Sequence, residues 1–69
     1  MRLSARNQLT GTVAAIDVGA VMTIVKVNLD GGQQITASIT KDAAEDLGLT
    51  VGSQVTAVVK ATEVMIGVE

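Results

Sequence analysis

Apolar and polar residues alternate along most of this chain, the period of two that marks strands with one face turned to a core. The first such run is QLTGTVAAIDV, which ends at the turn VGA. AVMTIVKVNLD follows, with Val21, Thr23, Val25, Val27 and Leu29 on one face and Met22, Ile24, Lys26, Asn28 and Asp30 on the other. That second face begins apolar and ends polar, so the start of the strand is expected to be covered on both sides. LDGGQQ marks a hairpin, with two glycines available for the positive φ angles of a tight turn. In QQITASIT, Ile35, Ala37 and Ile39 then alternate with Gln34, Thr36 and Ser38.

The period changes once. TKDAAEDLGL reads as a short helix: Thr40 suits the N-cap, Asp42 places a negative charge in the first turn, and Gly48 is a natural stop. Ala43, Ala44 and Leu47 form its expected inward face. After the turn TVGSQ, alternation returns at Val55, Ala57 and Val59, and again at Val64, Ile66 and Val68. The pattern predicts an all-β fold, a small OB-like barrel of five strands with one short helix between the third and fourth. It is a single domain over residues 1–69, without internal repeat, linker or low-complexity tract.

Composition adds a second copy to this picture. A chain of 69 residues needs help to be stable, and with no cysteine and no histidine it has neither disulfides nor the common zinc sites. No calcium-loop pattern is present either. Apolar residues make up 48% of the chain, yet none is aromatic. Small aliphatic side chains in excess of what one tiny core buries point to burial between subunits, hence to a homo-oligomer. The net charge of −2 argues against general affinity for nucleic acid or an anionic membrane. No apolar run reaches membrane-spanning length, and the N-terminal stretch has no apolar leader region, so a cytoplasmic location is expected.

The residue types exclude most catalysis. Without His or Cys, the Ser–His–Asp and Cys–His arrangements cannot be built. The carboxylates of DAAED fit the solvated face of a helix, and no Walker or GxGxxG loop occurs. An OB-like nucleic-acid binder would need stacking aromatics, which are absent. What remains is anion binding. A tetrahedral oxyanion takes several N–H and O–H donors from different directions, with cations to offset its charge. The stretch SARNQ gathers Ser4, Arg6 and Asn7, Lys60 interrupts an apolar strand, and turn backbone near VGAV supplies further N–H groups. The same residues also fit a bland role, with Arg6 and Asn7 capping a strand end or pairing with Glu63 or Asp17, and Lys60 snorkelling to solvent.

SARNQLTGTV near the start, the turn GAV, the middle ITASITKDAAEDLGLTVGSQVTAVVKATEVMI and the ending VE together resemble a molbindin, a Mop-type member of the TOBE domain family. The resemblance runs over nearly the whole chain. It implies an OB-like barrel assembled as a cytoplasmic hexamer, a trimer of dimers, that holds molybdate or tungstate between subunits for storage. It also implies the site. Ser4 and Arg6 give side-chain donors, Ala5 gives backbone, and Asn7 supports the site or binds. Lys60 comes from a neighbouring subunit, the Ala61 N–H is a further donor, and the backbone around Ala20 contributes. Many molbindins carry serine where this chain has Ala61, which removes one hydroxyl. No organic cofactor is expected, since a pterin ring would find no aromatic to stack on. A structural or regulatory oligomerisation module without oxyanion binding is the alternative reading.

Overall fold

The computed structural model describes all residues, Met1–Glu69. Its elements run β1 (Asn7–Val18), β2 (Met22–Leu29), β3 (Gln34–Thr40), helix α1 (Lys41–Asp46) and β4 (Gln54–Val59). A 3₁₀ turn over Ala61–Glu63 follows β4. The strands form one antiparallel sheet in the order β3-β2-β1-β4. The twelve-residue β1 organises it: residues 7–12 pair with β4, and residues 11–18 pair with β2. Its register slips between Val13 and Ala15, an irregularity that bends a long strand and curls the sheet. Gly11 stands where both partners meet. A Cβ there would lie 2.5 Å from the Asn28 carbonyl oxygen, so only glycine lets β1 and β2 approach this closely.

The inner face carries Val13, Val25 and Val27, the only buried apolar side chains, with Ile16, Leu29, Ile35, Ile39, Leu49 and Val55 half-covered around them. Alternation from Thr23 onward in β2 and along β3 reads through directly: Val25 and Val27 are buried, and Ile35, Ala37 and Ile39 face in while their neighbours face out. Thr23 sits among them fully buried, its hydroxyl without a hydrogen-bond partner. The start of β2 is not covered on both sides as expected: Val21 precedes the strand and is 71% exposed, and Met22 is 43% exposed, because no element packs over that end of the outer face.

The helix forms as expected at its start, where the Thr40 hydroxyl accepts from the Ala43 N–H at 3.0 Å. Its end revises the expected inward face. Gly48 takes φ +61°, and the N–H groups of Gly48 and Leu49 return to the carbonyls of Glu45 and Ala44. This glycine-centred stop swings Leu49 onto the core. Leu47 is left 70% exposed, so Leu49 takes the place the helical period gave to Leu47. In the β2–β3 hairpin, Gly32 alone takes positive φ, at +99°, so the turn needs one left-handed residue rather than two.

The fifth strand does not form within the chain. Val64, Ile66 and Val68 alternate as a strand should, but they lie beyond the last sheet element and are 48%, 88% and 93% exposed. The structure is accordingly a curled half-barrel of four strands, whose outer edges, β3 and β4, are free. Its radius of gyration, 12.6 Å, exceeds the about 11 Å of a fully compact chain of this length.

Candidate oxyanion-binding site

The open end of the half-barrel carries the donors. Asn7 and Val59 are register partners, which brings the residues before β1 beside those after β4. Asn7 reinforces the junction: its Nδ2 donates to the Val59 carbonyl at 3.1 Å. Gln8 folds back, Nε2 donating to the Ala5 carbonyl at 3.1 Å, and holds the N-terminal arm over the strand end. Two of the polar groups in SARNQ are thus spent on positioning the other two.

What they position is a cleft of about 420 Å³ lined by Ser4, Ala5, Arg6, Val58, Lys60, Ala61 and Thr62. Two of the five basic residues of an acidic chain meet here, and no carboxylate lines the cleft. None of Ser4, Arg6, Lys60 and Thr62 spends its side chain on a hydrogen bond within the chain. Backbone donors add to this set. Ala61 and Thr62 begin the 3₁₀ turn, and their N–H groups bond no backbone carbonyl of the chain, as at the start of any helical turn. Guanidinium, ammonium, hydroxyl and amide donors around one space are the complement of a small polyoxygen anion.

Five of the residues singled out in the sequence, Ser4, Ala5, Arg6, Lys60 and Ala61, come together in this cleft. Lys60 lines the cleft together with Ser4, Ala5 and Arg6 of its own chain. Asn7 stands behind the cleft as a strut. Ala20 does not join it: it lies in the turn after β1, which the Gly19 N–H closes on the Met22 carbonyl at 2.8 Å, at the opposite end of that strand. Thr62 escaped the sequence reading. Its hydroxyl stands one residue beyond Ala61, and the signal for it was only a hydroxyl residue close behind Lys60. By contrast, the cleft between α1 and the sheet has both Lys41 and Glu45 in its lining, a carboxylate as well as a cation.

Residues 3–66 match the TOBE domain. The chain belongs to this family. Within the TOBE domain family it groups with the molbindins. It is 47% identical over 66 residues to molybdenum-pterin-binding protein 3 of Clostridium pasteurianum, covering 96% of this chain and 97% of that one. MopII of the same organism superposes with a TM-score of 0.92 at 45% identity, covering 97% of this TOBE domain and all of MopII. The cytoplasmic molybdate-binding protein ModG, in a form with molybdate bound, superposes with a TM-score of 0.95 at 51% identity; the match takes in the whole chain and 49% of ModG. No helix of this TOBE domain is long and apolar enough to cross a membrane.

Proposed function

We propose that this chain binds molybdate in the cleft of Ser4, Arg6, Lys60 and Thr62, as a storage or buffering protein and not as an enzyme. The observation that carries the reading is the convergence of two cations, two hydroxyls and free N–H groups on a space that no carboxylate enters. Molybdate is a tetrahedral dianion. Arg6 presents a planar fork of donors to two of its oxygens, and Lys60 supplies the second positive charge as a compact point. Ser4, Thr62 and the Ala61 N–H are within the same lining to reach the remaining oxygens. Tungstate has the same shape and charge and is bound in the same way. A pterin is not part of the ligand, because the chain has no aromatic ring to stack on it.

Assembly belongs to this reading. The cleft of about 420 Å³ is wide for one ion, given that a water takes up about 30 Å³. A wall from a second subunit narrows it and excludes solvent, which strengthens each charge-assisted bond. We place the cleft at a subunit interface of a cytoplasmic homo-oligomer, a hexamer built as a trimer of dimers. Isothermal titration calorimetry with molybdate, and with sulfate alongside, tests the function. Saturable heat with molybdate at a fixed stoichiometry per chain is expected. Absence of heat with molybdate at two well-separated temperatures would overturn the proposal.

A further inference from the structure

We infer that Gln8 is a positioning residue for the oxyanion cleft: by fastening the N-terminal arm, residues 1–6, to the start of β1, it sets how tightly the cleft binds its anion. The inference rests on the reading above that the cleft takes molybdate, and it names the residue that fixes half of the donor set in place.

The cleft is built from two halves held in unequal ways. Lys60, Ala61 and Thr62 continue β4, whose six residues pair with β1 from Asn7↔Val59 to Thr12↔Gln54. Beyond the strand, the Glu63 N–H donates to the Lys60 carbonyl at 2.9 Å and the Val64 N–H to the Ala61 carbonyl at 3.3 Å. Backbone bonds alone therefore hold this half. Ser4 and Arg6 have no such support. The arm belongs to no strand or helix, and pairing with β4 begins only at Asn7. No backbone hydrogen bond outside the regular elements reaches residues 1–6. The one hydrogen bond to the arm comes from a side chain, Gln8 Nε2 donating to the Ala5 carbonyl at 3.1 Å.

The position of that bond gives it leverage over both arm donors. Ala5 lies between Ser4 and Arg6, and it is the only half-covered residue of the arm, the other five being exposed. Holding its carbonyl closes a four-residue turn from Ala5 to Gln8, with a side-chain donor standing in for the backbone N–H of an ordinary β-turn. Arg6 is inside that turn and Ser4 directly precedes it, so one bond orders both. Gln8 itself is exposed and does not line the cleft, so it acts through Ala5 and not by touching the anion. An unfastened arm would have to be ordered at the moment of binding, and a latch formed beforehand removes that cost. Adjacent side chains of a strand point to opposite faces, and the two carboxamides accordingly serve different halves: Asn7 bonds Val59 of β4, and Gln8 bonds the arm.

The test compares the intact protein with its variant Gln8→Met, which keeps the length of the side chain and removes the donor. Order parameters of the Ala5 and Arg6 amides, measured by nuclear magnetic resonance without molybdate, are the first readout. They are expected to fall in the variant from about 0.85 toward about 0.6, from rigid to flexible backbone, while those of Ala61 and Thr62 hold. Calorimetry should then show molybdate binding weakened roughly three- to tenfold, the scale of a neutral hydrogen bond. The same substitution should cost less in an Arg6→Ala background than in a Lys60→Ala background, because Arg6 rides on the arm and Lys60 does not. Equal losses in both backgrounds would overturn the inference, since they would mark a general effect on the fold. Unchanged order parameters, or unchanged affinity, in Gln8→Met would overturn it as well. If the unsubstituted protein gives no heat with molybdate, the binding proposal fails, and the order parameters still decide whether Gln8 holds the arm.

Discussion

The polar side chains at the open end divide into those hydrogen-bonded within the chain, Asn7 and Gln8, and those left without a partner, and substitution separates the two. Arg6 and Lys60 line the cleft without intramolecular partners. Arg6→Ala and Lys60→Ala should each weaken molybdate binding roughly ten- to a hundredfold, the scale of a lost charge-assisted hydrogen bond. Calorimetry gives that change, and an unaltered far-ultraviolet circular dichroism spectrum shows that the sheet survives. Thr62→Val keeps the shape of the side chain and removes its hydroxyl, so a smaller loss of roughly three- to tenfold is expected, as for a neutral bond. Equal affinity would remove Thr62 from the ligand set. Thr23 gives the opposite case. Its buried hydroxyl has no partner, so Thr23→Val should leave the melting temperature unchanged or raise it, because an unsatisfied buried group is relieved.

At the scale of elements, Gly11 sets how closely β1 and β2 approach, and Thr40 caps the helix. Gly11→Ala would press a Cβ against the Asn28 carbonyl oxygen and Val27 Cγ1 at the meeting of β1 with β2. Overpacking of this kind costs about 1–3 kcal/mol, and a lowered midpoint in urea denaturation is the expected result. Thr40→Ala removes the only side-chain cap of α1, a loss of about 1 kcal/mol. The alternation of β2 and β3, the cap at Thr40 and the stop at Gly48 were legible in the sequence because each is set by residues within a turn or two of one another. Leu47 and Leu49 were not sorted correctly. A helical period assigns Leu47 inward, but the left-handed Gly48 turns the chain, and the sequence pattern does not carry that rotation.

The whole molecule is more open than its apolar content suits. With only five residues buried, one copy hides little of its aliphatic surface, and small domains of this size bury too little to be secure alone. Binding between subunits would then stabilise the assembly by linkage. Molybdate at a hundred times its dissociation constant should add about 2.7 kcal/mol per site, seen as a rise in melting temperature that sulfate at equal concentration does not match. An unchanged melting temperature under saturating molybdate would contradict a ligand that prefers the folded oligomer.

The sequence by itself determined the four strands that form, the helix cap, the turns and most of the donor-bearing residues, since each follows from local periodicity or from side-chain chemistry. The resemblance carried by SARNQ and VKATEVM points to the family without the fold. Only the tertiary structure decided which donors meet. The pairing of Asn7 with Val59 joins residues 52 positions apart and sets Arg6 and Lys60 around one cleft, brings in Thr62, and leaves Ala20 at the other end of β1. It also decided that Val64–Val68 finds no place in its own sheet. A strand pattern records which side chains seek burial, whereas the partner that buries them is fixed by where distant edges come to lie.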